Sequence, residues 1–154
     1  MLDQLAEYTI PILHPVIVHF PVALSWVALV CASIWLFRDK QVWLRNTIYL
    51  ECAAVIGAFF AVRTGEAMKE QSEGVPMVDQ FVEYHESMGE RSMWLLLVTI
   101  GVLLAGQWYT GRDMNRAGSA VPIRIVGFLF VLAVALLIGV TSHSGGIMVW
   151  GIPV

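Results

Sequence analysis

Four windows of this chain, approximately 10–37, 47–64, 92–110 and 122–141, stay apolar for long enough to cross a lipid bilayer, and that fact limits the fold more than any other. A spanning helix needs about 20 such residues at roughly 1.5 Å of rise each. Hydrocarbon offers no partner to a backbone N–H or C=O, so segments of this kind must bond internally as helices. With 58% hydrophobic and 14% charged residues in 154, the chain is too apolar for an ordinary water-soluble domain. The expected fold is all-α, a single transmembrane domain over residues 1–154 built as a four-helix bundle. Lipid covers its outside, and small residues, thirteen glycines among them, let the helices approach. No cleaved signal peptide is expected, because the first window follows Asp3 and Glu7 without a basic flank or a small-residue cleavage site.

Charge orients the bundle. Threaded as hairpins, one end receives Arg63, Lys69 and Arg91 against Asp3, Glu7, Glu66, Glu70, Glu73, Asp79, Glu83, Glu86 and Glu90. The opposite end receives Arg38, Lys40, Arg45, Arg112, Arg116 and Arg124 against Asp39, Glu51 and Asp113. Lys and Arg in short loops favour the cytoplasm, so the second end is expected inside and both termini outside. The second window is the weakest, with Glu51 expected at the interface and Arg63 snorkelling outward. In the long outer connection Val78, Phe81, Val82, His85 and Met88 recur at helical spacing after Pro76, which predicts an outer-face amphipathic helix running into the third span. The sequence shows no internal repeat.

All four histidines, His14, His19, His85 and His143, thread to the outer end. An ionisable group near hydrocarbon is costly without a partner and is by default a functional-site hypothesis. His14 and His19 stand five apart on the first span, so they point about 140° from one another and differ in depth by roughly 7.5 Å. They do not suit one metal ion side by side. Pro21 removes an interior hydrogen bond and predicts a kink just below His19. Gly139 precedes His143 by one turn and leaves room for a planar group, and Gly145-Gly146 predicts a sharp turn that folds residues 147–154 back as a cap.

Three chemistries suit outward imidazoles on three helices. A b-type haem takes one or two axial histidines, a slot of small residues and basic groups for its propionates; His14, His19, His85 and His143 with Arg63 or Arg91 supply these. A bare Cu, Zn or Fe ion takes imidazoles such as His19, His85 and His143 with Glu66 or Glu86 nearby. A quinol or proton site uses His and Glu alone. Ser142 and Ser144 are expected as supporting neighbours. Against all three stands a structural reading, in which the histidines only satisfy carbonyls freed at Pro21 and at helix ends. The leading expectation is an electron-transfer subunit resembling a b-type cytochrome, with His19 and either His143 or His85 on iron and His14 a further ligand or a neighbour that supports one. One haem is expected, and four histidines admit two. The competing expectation is an accessory membrane subunit without a cofactor.

The remaining signals are plainer. Cys31 and Cys52 sit inside apolar windows and read as buried small side chains, with no C-x-x-C-H for covalent haem. Trp35, Trp43, Trp94, Trp108 and Trp150 read as interfacial anchors, and Met77, Met88 and Met93 as packing. No nucleophile elbow, H-E-x-x-H or phosphate loop occurs, so a catalytic role is not indicated. The partners expected are the bilayer and other membrane or periplasmic redox subunits, with no nucleic acid. Small-xxx-small pairs, Gly57 with Ala61 and Gly101 with Ala105, serve internal packing or docking.

The run His14-Pro15-Val16-Ile17-Val18-His19-Phe20-Pro21-Val22-Ala23-Leu24, the Thr64-Gly65-Glu66 ending of the second span, the isolated His85 and the tail Ser142-His143-Ser144-Gly145-Gly146-Ile147-Met148-Val149-Trp150-Gly151-Ile152-Pro153-Val154 resemble a bacterial inner-membrane family known mainly as a domain of unknown function. The resemblance covers essentially the whole chain. It implies a four-helix inner-membrane protein, sometimes joined to or beside redox modules. The chain departs from the usual pattern in carrying Glu66 where an aspartate often follows the glycine by a residue or two, and Trp150 where tyrosine is common.

Overall fold

The computed structural model describes residues 13–72, 76–111 and 120–150. Four helices account for nearly all of them: α1 (Leu13–Arg38), α2 (Gln41–Ser72), α3 (Pro76–Gly111) and α4 (Ala120–Trp150). Each contains a stretch long and apolar enough to cross a membrane. The chain runs as two hairpins, and every helix packs on the two beside it in the cyclic order α1, α2, α3, α4. That leaves α1 diagonal to α3, and α2 diagonal to α4.

The α1–α2 connection is only Asp39 and Lys40. Asp39 turns it by adopting a left-handed conformation (φ 51°), and its N–H closes the helix onto the Trp35 carbonyl at 3.0 Å. Arg124, almost fully buried at the start of α4, donates to the Leu36 carbonyl at 3.0 Å and lies 3.6 Å from the Asp39 carboxylate. One guanidinium thus satisfies a carbonyl that the end of α1 leaves without an intrahelical partner. At the same end Gln41 donates to Thr110 at 3.1 Å, tying α2 to α3.

Two apolar clusters fill the interior. The one nearer this end contains Ala28, Ala32, Trp35, Leu44, Ile48, Leu103 and Val131; the other contains Ala54, Ala58, Leu96, Val134 and Ile138. Alanines on α1 and α2 let the helices close up, and Gly127 of α4 makes room for an indole. A Cβ there would lie 2.9 Å from Trp35 Cζ3. Trp35 is therefore a core residue at 1% exposure and not an interfacial anchor, because a glycine on the facing helix creates the space the ring fills. Trp94 and Trp108 are exposed on the outside of the bundle.

Two local expectations change, and a third is made definite. Glu51, placed at the interface by sequence, is fully buried ten residues inside α2. The helix extends well below residue 47, starting at Gln41, so the carboxyl lies deeper than the hydropathy window implied. The amphipathic segment before the third span runs into it as expected and continues the span, since Pro76–Gly111 is one helix. Val82, His85 and Met88 on it turn inward while Phe81 is exposed. The fourth span does not stop at His143 or turn at the glycine pair, because α4 runs through both to Trp150. Residues 151–154, the end of the expected cap, lie outside the described residues, as do the side chains of Met77, Val78 and Trp150.

Candidate functional site

The end of the bundle that carries the start of α1 is where the histidines and hydroxyls meet. His14, near the start of α1, turns towards α2, where its Nδ1 lies 3.0 Å from the Ala61 carbonyl and 3.1 Å from Thr64 Oγ1. His85 on α3 turns towards α4, its Nδ1 3.0 Å from Ser144 Oγ. The two rings approach across the bundle axis from diagonal helices, with centroids 6.3 Å apart and planes at 86°.

The hydrogen bonds fix which ring nitrogen carries the proton. A carbonyl only accepts, so Nδ1 of His14 donates to Ala61. Ser144 already gives its single hydroxyl proton to the Thr141 carbonyl at 2.8 Å, so its oxygen can only accept from Nδ1 of His85. Thr64 has one hydroxyl proton, directed at the Phe60 carbonyl at 2.9 Å with the Ala61 carbonyl at 3.1 Å as the alternative acceptor. His14 is thereby an Nδ1–H tautomer whose Nε2 presents a lone pair, and His85 takes the same form when Ser144 keeps its proton on Thr141, the form in which imidazole ligates a metal through Nε2.

Glycine sets the height of each ring. A Cβ on Gly65 would stand 3.1 Å from His14 Cε1, and one on Gly145 would stand 2.8 Å from His85 Cε1. Each hairpin therefore repeats one device: a histidine on its first helix rests on a glycine of its second, beside a hydroxyl that precedes the glycine. Ala61, Thr64 and Gly65 on α2 correspond in spacing to Thr141, Ser144 and Gly145 on α4. Ser92 extends the set by pairing with Thr141 at 3.2 Å.

The other expected site residues stand apart. His19 is exposed and its Nδ1 bonds back to the Pro15 carbonyl of its own helix. Val18, one residue before His19, keeps helical dihedrals (φ −60°, ψ −23°) and α1 continues through it, although Pro21 has no N–H to give to the Ile17 carbonyl. His143 is exposed. Gly139 packs against Trp26, 3.8 Å from where its Cβ would be, and so does not hold a planar slot open. Arg63 is exposed, pairs with Glu66 at 3.1 Å and lies over the Phe59 ring at 5.6 Å. Glu86 is engaged by Lys69 at 2.7 Å, and Arg91 is exposed. Ser142 is half-buried. Among the described residues, no three His, Cys, Asp or Glu side chains gather as a metal cluster.

The sequence alone does not show that Gly65 and Gly145 seat the imidazoles, although the hydroxyl-glycine pairs Thr64-Gly65 and Ser144-Gly145 near the C-terminal ends of the second and fourth helices are a visible signal. The interfacial place it suggests for Glu51 is replaced by an interior one.

No curated protein and no solved structure matches the chain. The family model described as a predicted membrane protein (DUF2231) matches residues 10–154, and with four helices able to cross a membrane and nearly the whole chain matched, the chain belongs to that family.

Proposed function

We propose that this chain is an electron-transfer subunit of a bacterial inner membrane, holding one b-type haem between His14 and His85 near the non-cytoplasmic face. The observation that supports this reading is the facing pair itself. Two imidazoles that meet across the bundle axis could hold one metal centre between them, each through the ring nitrogen its own hydrogen bond leaves open. The His14 and His85 centroids are 6.3 Å apart.

The donor set suits the group. Both rings are held at Nδ1, and a hydrogen bond from that nitrogen orients the ring and raises the basicity of Nε2. Gly65 and Gly145 remove the two Cβ atoms that would push the rings out of place. Arg91, exposed at the same end, would hold a propionate, and Arg63 would hold the other on leaving its exposed pair with Glu66. A bound b-type haem supplies one-electron redox chemistry, and the chain contributes ligation, orientation and an apolar surround. Relative to the sequence reading, the ligand pair moves from His19 with His143 or His85 to His14 with His85. The bare-ion alternative has two imidazoles but no carboxylate joining them, since Glu66 and Glu86 are taken up by Arg63 and Lys69.

The orientation with the paired histidines outside rests on the distribution of Lys and Arg. Redox partners at that face fit a small bundle of this kind. A second reading, an accessory subunit without cofactor, draws on the same hydrogen bonds, because His14 staples α1 to α2 and His85 staples α3 to α4.

The test is the reduced-minus-oxidised visible spectrum of protein purified from haem-supplemented cells. Bis-histidine haem bands are expected in the wild type and in His19→Ala and His143→Ala, and are lost in His14→Ala and His85→Ala. A well-folded wild type with no such bands, or bands that survive both of the latter changes, overturns the assignment.

A further inference from the structure

Away from the histidines, the middle of the bundle holds one group that an apolar interior should not contain. Glu51 is 0% exposed, and neither carboxyl oxygen has a hydrogen-bond partner. Its depth follows from the residues around it on α2: Ile48 below belongs to the inner cluster with Ala28, Leu103 and Val131, and Ala54 above belongs to the outer cluster with Leu96 and Val134. Glu51 therefore lies in the layer between the clusters, level with Thr99 on α3 and Ser25 on α1, both also 0% exposed. The layer is about 15 Å along α2 from Gln41 and about 20 Å from Thr64.

Among the described residues, no cation is placed to neutralise an ionised carboxylate there. The stretches facing Glu51, 20–37 of α1, 92–110 of α3 and 125–142 of α4, contain no Lys, Arg, His, Asp or Glu. The titratable side chains on them are Cys31, buried in α1, and Tyr109, exposed on α3. On α2 itself the neighbours are Tyr49 and Cys52, both exposed, and Arg45, exposed six residues away. An ionised, unpaired carboxylate in such surroundings costs several kcal/mol even after relaxation.

A neutral carboxylic acid fits. It needs an acceptor for its proton and can itself accept a hydrogen bond. Thr99 and Thr47 spend their hydroxyl protons on the Leu95 and Trp43 carbonyls, at 2.7 and 2.8 Å, which leaves their oxygens free to accept, and neither is hydrogen-bonded to the Glu51 carboxyl in this structure. Ser25 Oγ has no partner and can donate. We infer that Glu51, in a polar layer with Ser25 and Thr99 at the middle of the bundle, is an intramembrane proton-binding site. This site is separate from the histidine pair and does not depend on haem being bound there.

The test uses the full-length protein in native membranes and in detergent, treated with a hydrophobic carbodiimide, which attacks protonated carboxyls in apolar surroundings. Mass analysis reads the modified position. The inference expects labelling at Glu51 that falls as pH rises, is unchanged by sodium at fixed pH, and disappears in Glu51→Gln. That variant should keep the helical circular dichroism and thermal midpoint of the wild type, because a neutral amide of the same shape replaces a neutral acid. Absence of label at Glu51, suppression of label by sodium, which would point to a metal cation, or collapse of the Glu51→Gln fold overturns it. The haem spectrum is read separately on the same preparation, so failure of one reading leaves the other to be judged by its own measurement.

Discussion

Adjacent glycines near the end of α4 provide a sharp test of how the histidine pair is built. A methyl group on Gly145 would stand 2.8 Å from His85 Cε1, 3.4 Å from Nε2 and 3.5 Å from Nδ1, whereas one on Gly146 meets nothing within 4 Å. Both glycines are inside the same helix, so replacing either by alanine should gain about 0.5–1 kcal/mol from lost unfolded-state freedom. Gly146→Ala keeps that gain. Gly145→Ala must also displace an imidazole that is tethered at Nδ1 by Ser144, and overpacking of this kind costs about 1–3 kcal/mol. The two variants should therefore differ by about 1–3 kcal/mol, with Gly145→Ala the less stable. Unfolding of the purified proteins in a denaturing detergent titration, followed by circular dichroism, measures the difference. Equal stability of the two variants, within about 0.5 kcal/mol, would show that His85 does not rest on Gly145 and would remove the geometry on which the haem proposal depends.

Three further outcomes follow from other contacts. Gly127→Ala, whose Cβ would meet Trp35 Cζ3 at 2.9 Å and Leu103 Cδ2 at 3.2 Å, should be less stable than Gly89→Ala, where a Cβ meets nothing within 4 Å, by about 1–3 kcal/mol in the same titration. Arg124→Leu strips the Leu36 carbonyl of its donor, and a loss of about 1–3 kcal/mol is expected in unfolding experiments; no change would mean that the end of α1 is satisfied otherwise. Lys69→Met breaks a partly exposed ion pair with Glu86 and should shift stability by less than about 1 kcal/mol, a result to be checked at low and high salt because screening should shrink it further.

The sequence by itself determined the class and the size of the parts. Hydrocarbon leaves no alternative to internally bonded helices, so four long apolar windows give four helices, and alternate ends follow from short connections such as Asp39-Lys40. Hairpin threading also placed His14 and His85 at one end. Helix lengths were underestimated because hydropathy falls off before the helix does, as at Gln41 and beyond Thr141. Which imidazoles meet was not legible: His14 and His19 are equally apolar-flanked in sequence, and the choice depends on which of them points at α2. The tertiary structure decided that by setting helix rotation through close contacts at Gly57, whose Cβ position lies 3.0 Å from Pro21, and at Gly127 against Trp35. The same rotation buried Glu51 and Trp35, and brought two sequence-dissimilar hairpins to present the same histidine, hydroxyl and glycine to a common axis. A one-dimensional pattern records spacing along each helix, whereas rotation about a helix is fixed only by what its neighbours leave room for.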